Sequence, residues 1–116
     1  MAYDPNNIFA KILRGEIPNK TVYEDDWALA FHDINPQAPV HVLVIPERHV
    51  DSIAGSDGLD DAARARMLTF IAEVATQEGL DDSGYRVTTN HGPDALQSVH
   101  HLHWHVMGGT RLSDSM

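Results

Sequence analysis

The chain contains, at residues 101–105, the stretch His101-Leu102-His103-Trp104-His105, in which histidine occupies alternate positions. A β-strand repeats every two residues, so a strand here would project all three imidazoles from one face, with Cα atoms about 6.6 Å apart. The opposite face of such a strand is mostly apolar and typical of a core: His100, Leu102, Trp104 and Val106. We therefore predict a strand at about residues 99–107 that presents imidazoles on one face.

Further strands are predicted before and after a long helix in the sequence. Residues 21–24 and 28–32 read as a strand pair around an Asp25-Asp26 turn. Residues 41–45 are apolar on both faces and end at Pro46, which is typical of a buried central strand, and residues 85–90 form a further strand. This order of elements predicts an α+β fold with a five-stranded antiparallel sheet.

Two helices complete the prediction. A short helix is expected at residues 5–14, with Asp4 as its N-cap, Pro5 in its first turn and a stop at Gly15. A long helix is expected at residues 60–78, with acidic residues at its start and Gly79 after its end. The apolar stripe of the long helix reads as core. For the short helix, core packing is favoured over the wall of a ligand pocket.

Composition restricts the classes of function. The 116 residues favour a single domain over 1–116, and the absence of cysteine excludes disulfides and thiolate metal sites. The formal charge of −9 with only eight Lys and Arg offers no basic patch, so a nucleic-acid partner is not expected. No stretch approaches the ~20 apolar residues of a membrane span, and no leader is evident. We expect a cytoplasmic protein without a membrane partner.

Three interpretations of the histidine segment are open from the residues alone. The first is a metal site, because His-x-His is a ligand spacing to which His41 or His49 could add a donor. The second is a purely structural role, which is disfavoured because burying three polar rings has a cost. The third is nucleophilic catalysis on a phosphorus centre, with one imidazole attacking while its neighbours donate hydrogen bonds and move a proton.

The segment resembles a known family. Residues 97–109, from Gln97-Ser98-Val99 through the three alternating histidines to Gly108-Gly109, match the histidine triad pattern His-φ-His-φ-His-φ-φ, where φ is apolar. Residues 8–12, 16–18, 31–34 and 36–46 are also similar to the Hint branch of the histidine triad (HIT) superfamily. The resemblance covers about residues 5–111, and it implies the HIT-like fold, with a ten-stranded sheet in a homodimer.

The resemblance also implies an activity. Hint proteins hydrolyse adenosine 5′-phosphoramidates and related purine nucleoside phosphoramidates through a nucleotidyl-histidine intermediate, without requiring a metal or other cofactor. It implies that His103 is the nucleophile, that the carbonyl of His101 fixes its tautomer, and that His105 contacts the phosphate. Ser98 would offer a hydroxyl to the phosphate or leaving group, and His41 would be a proton-relay candidate.

The ligand implied by the resemblance is a purine nucleotide of the AMP type. Asp33 would bind the ribose hydroxyls, and Asn90 and Gln97 would lie on the phosphate or ribose side. The base pocket would be apolar and would include the first helix: Ile8, Phe9, Ile12, Ile17, Phe31 and Ile34. The alternatives are a dinucleoside polyphosphate hydrolase of a neighbouring branch, and a nucleotide- or partner-binding module with weak catalysis.

One departure from the family pattern concerns the loop before the histidines. Ala95-Leu96 stands where the family usually has glycine immediately before the glutamine. A leucine adopts positive φ only at a cost, so a reshaped phosphate loop is expected. The tail after Arg111 is short and also departs from the pattern, which affects the expected substrate selectivity.

Overall fold

A five-stranded antiparallel sheet forms the centre of the protein in the computed structural model, which describes residues 3–114. In chain order the elements are α1 (Ile8–Leu13), β1 (Thr21–Glu24), β2 (Ala28–His32), β3 (Val40–Pro46), α2 (Asp61–Gln77), β4 (Tyr85–Thr88) and β5 (Trp104–Gly108). The strand order is β1-β2-β3-β5-β4. The α+β, five-stranded antiparallel prediction is confirmed.

The two faces of the sheet carry different layers. One face packs against α2, where small and β-branched residues of the central strands (Ala28, Ala30, Val42, Val44 and Val106) meet Phe70 and its helical neighbours. The other face carries α1, through Phe9 and Ile12 against Leu29, Phe31, Leu43 and Ile45. Because both faces of β2 and β3 are covered, these strands are apolar almost throughout.

The first helix is shorter than predicted, and its cap is a different residue. The side chain of Asp4 accepts the N–H of Asn6 at 2.9 Å, which forms a turn before the helix. The side-chain oxygen of Asn7 then accepts the N–H of Ala10 at 2.9 Å and acts as the N-cap. The predicted N-cap at Asp4 is therefore wrong, whereas Gly15, with φ of 77°, does end the helix.

The histidine strand is also shorter than predicted, because β5 begins only at Trp104. Val44 pairs with Trp104, and the same register would set Leu102 opposite Pro46. Proline has no N–H to continue a ladder, and the N–H of Leu102 instead donates to the carbonyl of Val50 at 2.6 Å. The ladder therefore ends before His101 and His103 are reached. The predicted bounds of 85–90 for β4 and 60–78 for α2 are slightly too long.

The α2 helix is capped as its sequence indicates. The side chain of Asp60 accepts the N–H of Ala63 at 2.8 Å, and Gly79 follows the helix with φ of 75°. Two short 3-10 turns, Ile53–Gly58 and Pro93–Ala95, were not predicted. Within residues 3–114, neither helix has the length and apolar character needed to cross a lipid bilayer.

Candidate active site

The candidate site lies on the α1 face of the sheet, where β3 and β5 meet. His41 on β3 and His105 on β5 belong to the same face, and their ring centroids are 5.1 Å apart. His105 also lies 5.3 Å from His103, ring centroid to ring centroid. The edge of Phe9 from α1 packs on His103 at 4.9 Å. The structure thus brings the triad residues His103 and His105 into one cluster with His41 of β3 and Phe9 of α1.

His101 and His103 lie in the irregular segment just before β5. Both side chains are buried: His101 is 0% exposed and His103 6%. The Nε2 atom of His101 is 2.9 Å from the carbonyl oxygen of Pro46, and the hydroxyl of Thr89 donates to the carbonyl of His103 at 2.6 Å. These contacts hold the segment without a β-ladder. The ring of His101 contacts those of Tyr3 and His49.

The hydrogen bonds of His103 determine which of its nitrogens carries the proton. Its Nδ1 atom is 2.8 Å from the backbone carbonyl oxygen of His101. A carbonyl can only accept, so Nδ1 of His103 donates and holds the proton of the neutral ring. The lone pair of the neutral ring therefore lies on Nε2. This is the tautomer needed for a nucleophile that attacks through Nε2.

A second chain of contacts fixes the tautomers of His41 and His105. The backbone N–H of Gln37 donates to Nδ1 of His41 at 2.9 Å, so the proton of neutral His41 is on Nε2. That Nε2 donates to Nδ1 of His105 at 2.8 Å. The proton of neutral His105 is consequently on Nε2. The site therefore pairs a lone pair on Nε2 of His103 with an N–H donor on Nε2 of His105.

Burial lowers the pKa of the histidines at this site. For His101 and His105 the pKa falls to about 4, chiefly through loss of hydration, and for His105 the neighbouring His103 and His41 lower it further. Burial is likewise the main cause of the lowered pKa values of His103 and His41, which Asp33 partly offsets. All four rings are therefore neutral at pH 7. Crowding of imidazoles, the cause considered from sequence, is the smaller effect.

Asp33 lies beside the histidines at the edge of a cleft. One carboxylate oxygen accepts the N–H of Asn35 at 2.8 Å, and the other is 3.4 Å from Nε2 of His41. The cleft measures about 630 Å³ and is lined mainly by apolar side chains with a few polar groups: Ile12, Pro18, Asn19, Lys20, Phe31, His32, Asp33, Ile34 and Pro36. A carboxylate with remaining acceptor capacity at the rim of an apolar cleft suits a ligand that has hydroxyls and a flat ring.

The six residues expected to form the base pocket are divided between the cleft and the layer beneath it. Ile12, Phe31 and Ile34 line the cleft, and Ile34 is 97% exposed. Phe9 and Ile17 pack in the apolar layer below, and the half-exposed Ile8 lies at the start of α1. The short helix therefore serves both as core and as a cleft wall.

The loop from Asn90 to Gln97 forms the opposite border of the site. Asn90 and Leu96 line a second cavity of about 460 Å³ together with His41 and His105. The amide of Gln97 accepts the N–H of Gly92 at 2.9 Å and donates to the carbonyls of Asp51 at 2.8 Å and Val99 at 3.1 Å. Gln97 thus holds the loop in place, and its contact with a nucleotide stays a prediction.

Leu96 adopts the positive φ that the sequence analysis expected a leucine to avoid. It has φ of 60° and ψ of 34°, the left-handed conformation, and among the described non-glycine residues no other has positive φ. Its side chain is 84% exposed. The loop therefore makes the left-handed turn despite the leucine, at a strain cost of about 1 kcal/mol. Ser98 follows in an exposed segment before His101, and its role stays a prediction.

One group of side chains at the site, different from the set considered in the sequence, could hold a metal ion. Asp33, His41 and His105 each offer a ligand atom, and these atoms lie within 4.8 Å of one another. A neutral imidazole that coordinates through Nε2 must carry its proton on Nδ1, yet Nδ1 of His41 already accepts the N–H of Gln37. The donor set does not fit a resident metal while that hydrogen bond is kept.

Several site residues were missed by sequence reasoning. The cleft-lining Pro18 and His32 lie next to residues that were identified, whereas Asn19 and Lys20 have no such neighbour in the sequence. The N–H of Gln37 carries no side-chain signal at all. Ser52 and His91 form a hydrogen bond of 2.7 Å that joins the loop from Asn90 to Gln97 to the segment after β3, and only the fold brings these two residues together.

The chain is similar to known proteins in sequence and in fold. The family model described as the HIT domain matches residues 14–112. An uncharacterised 13.2 kDa HIT-like protein of Azospirillum brasilense is 54% identical over 95% of this chain and 91% of its own length. The purine nucleoside phosphoramidase of Escherichia coli K12 is 43% identical over 90% of this chain and 88% of its own.

A solved structure is similar over nearly its whole length. The HIT family hydrolase from Legionella pneumophila superposes with a TM-score of 0.89 at 40% identity, covering 94% of this chain and 97% of the other. The chain belongs to the HIT domain family.

Proposed function

We propose that this protein hydrolyses purine nucleoside 5′-phosphoramidates of the adenosine 5′-monophosphoramidate type to the nucleoside monophosphate and an amine. The observation that carries the proposal is the 2.8 Å contact between Nδ1 of His103 and the carbonyl of His101, which leaves a lone pair on Nε2. Membership of a family that includes a phosphoramidase and hydrolases supports nucleotide hydrolysis. The scission of a P–N bond is the finer part of the proposal.

The arrangement of the cleft supports a purine nucleotide as the ligand. The ribose hydroxyls would donate to Asp33, and the base would lie between the apolar side chains of Ile12, Phe31 and Ile34. The α-phosphate would then approach His103 and His105, with Asn90 on its far side. An apolar slot with few directed polar groups gives weak discrimination between purines.

The first half of the reaction would be attack on phosphorus. Nε2 of His103 forms a bond to the α-phosphorus, and the bond from phosphorus to the amine nitrogen breaks. The amine nitrogen takes its proton from a water molecule, while the Nε2–H of His105 and the Ser98 hydroxyl donate hydrogen bonds to the phosphate oxygens. His41 donates to Nδ1 of His105 at 2.8 Å and so keeps the proton of neutral His105 on Nε2. Nδ1 of His103 keeps its proton against the His101 carbonyl throughout.

The second half would transfer the nucleotidyl group to water. The hydroxide oxygen that remains from that water bonds to phosphorus, and the bond from phosphorus to Nε2 of His103 breaks. The product is the nucleoside monophosphate, and the protein returns to its starting protonation state. Fixed N–H donors beside the phosphate would stabilise the transition state, and no cofactor is required by this scheme.

The decisive experiment is the variant His103→Ala, assayed on adenosine 5′-phosphoramidate. We expect turnover to fall by at least about 10³-fold, because removal of a covalent nucleophile leaves only binding and electrostatic assistance. A quenched reaction of the unmodified protein should show a nucleotidyl group on His103 by mass spectrometry. His100→Ala is the matched control, since His100 is an exposed neighbour on the same segment.

Near-normal turnover by His103→Ala would refute the mechanism. A diadenosine polyphosphate assayed in parallel tests the alternative hydrolase, which a faster rate on that substrate would favour. Nucleotide binding without turnover in the unmodified protein would favour a binding module. Activity that is lost with a chelator and restored by zinc would contradict the proposal that no metal is needed.

The proposal includes a homodimer in which two sheets join through their β4 strands. β4 is the outer strand on its side of the sheet, and its residues Tyr85 and Val87 are 39% and 37% exposed. Apolar side chains on an outer strand are typical of a strand that a partner covers. Light scattering should give twice the chain mass, and a monomer at micromolar concentration would contradict this part.

A further inference from the structure

Tyr3 reaches the innermost histidine of the triad from the N-terminal segment. Its hydroxyl is 2.5 Å from Nδ1 of His101. Its ring stacks on His49, with centroids 4.6 Å apart and planes 13° apart, and meets His101 edge-on at 5.6 Å. The N-terminal segment is thus held against the triad by one polar contact and two ring contacts.

The contact completes the hydrogen bonding of a fully buried ring. Nε2 of His101 faces the carbonyl of Pro46 at 2.9 Å and must donate to it. Nδ1 of His101 is then the acceptor, and the Tyr3 hydroxyl is its donor. Burial raises the pKa of Tyr3 and lowers that of His101, so the hydroxyl keeps its proton and the ring stays neutral. Without the hydroxyl, Nδ1 would be a buried acceptor that has lost its donor.

The backbone of the same residue orients the proposed nucleophile. The carbonyl that accepts from Nδ1 of His103 belongs to His101, so a rotation of the His101 peptide would move that acceptor. We propose that Tyr3 is a positioning residue, whose hydroxyl holds the His101 ring and thereby keeps the His101 carbonyl aligned with His103. The proposal rests on the assignment of His103 as the nucleophile.

Tyr3 would act on turnover rather than on binding. It contacts His49 and His101 and has a side-chain hydrogen bond with Asn7, and none of these residues lines the cleft assigned to the base and ribose. Loss of the hydroxyl should therefore lower kcat for the phosphoramidate and leave KM within about twofold. One neutral hydrogen bond corresponds to a loss in kcat of about 3- to 10-fold.

The test uses Tyr3→Phe, which keeps the ring that stacks on His49 and removes only the hydroxyl. Two readouts are needed: the kcat and KM values, and the ¹⁵N signals of the histidine rings in the ligand-free protein. In the unmodified protein, His101 should be protonated on Nε2 alone. In Tyr3→Phe we expect its Nδ1 signal to shift and the Nδ1–H proton of His103 to broaden through faster exchange.

Two further variants separate the hydroxyl from general packing. Tyr23→Phe is the matched control, because Tyr23 packs on Phe70 on the opposite face of the sheet, and it should change neither readout. Tyr3→Ala also removes the stacking ring. A role in packing alone predicts that Tyr3→Phe behaves like the unmodified protein and only Tyr3→Ala is impaired, which would overturn the proposal.

The readouts of Tyr3→Phe, taken together with the activity of His103→Ala, distinguish a failure of this proposal from a failure of the proposed function. Shifted ¹⁵N signals with unchanged kcat in Tyr3→Phe would overturn the positioning role and leave His103 as nucleophile. Full activity in His103→Ala would refute the proposed function, whatever Tyr3→Phe does. A fall in kcat with unchanged KM, together with the shifted His101 signal, is the result that supports positioning.

Discussion

At the scale of single residues, the site depends on proton positions that backbone groups impose. The carbonyl of His101 and the N–H of Gln37 set the tautomers of His103 and His41, and His41 sets that of His105. The sequence indicated which imidazoles would gather, because alternation and the family pattern are local. It could not indicate the N–H of Gln37, since every residue except proline carries that group.

Leu96 provides a prediction at this scale. Leu96→Gly should raise the free energy of unfolding by about 0.5–1 kcal/mol, because glycine takes φ of 60° without the strain that leucine pays. Leu96→Ala keeps the Cβ atom and the strain, and it should stay within about 0.5 kcal/mol of the unmodified protein. Urea unfolding measures both. A Leu96→Gly variant less stable than Leu96→Ala would contradict the backbone strain at this position.

At the scale of elements, the ends of strands and helices were harder to predict than their existence. Alternation identified β5, but its first residue depends on Pro46 of the neighbouring strand, which would face Leu102 in the register. The helix α1 was identified by its apolar stripe, yet a turn at Asp4 moved its cap to Asn7. The first error arises because the distant Val50 accepts the N–H of Leu102, and the second because the Asp4 side chain accepts the N–H of Asn6 in a turn that precedes the helix.

The end of β5 gives a prediction for this scale. A Cβ atom on Gly108 would lie 2.9 Å from Cδ2 of Leu80 and 3.1 Å from the carbonyl oxygen of Gly84. The backbone of Gly84 cannot yield as a flexible side chain does, so Gly108→Ala should lower stability by about 1–3 kcal/mol. Gly58→Ala is the matched control, because no atom lies within 4 Å of its added Cβ. Equal melting temperatures for the two variants would contradict the close packing.

At the scale of the whole molecule, three buried imidazoles and the partly buried ring of His105 couple folding to pH. The pKa values of His41, His101, His103 and His105 are lowered in the folded protein, whereas the unfolded chain titrates near about 6.5. Below that pH the unfolded state binds more protons, so stability is fully present above about pH 6.5 and is lost as the pH falls towards about 4.

The slope of this loss can be measured. Each such histidine contributes up to about 1.4 kcal/mol per pH unit, so the free energy of unfolding should fall steadily between pH 6.5 and pH 5. Glu47, whose pKa burial raises, acts in the opposite direction and reduces the slope. Urea titrations at half-unit steps give the curve. A free energy that is constant or rises on acidification would contradict the neutral, buried state of these rings.

The acceptor that orients the proposed nucleophile is a main-chain oxygen, and every amino acid would supply one at position 101. Mutation can therefore displace this acceptor but cannot delete it. A change at this position should weaken the site by degrees, whereas a change at His103 removes it in one step. The loss of activity caused by substitutions should accordingly vary with the residue introduced at position 101 and be complete for any residue at position 103.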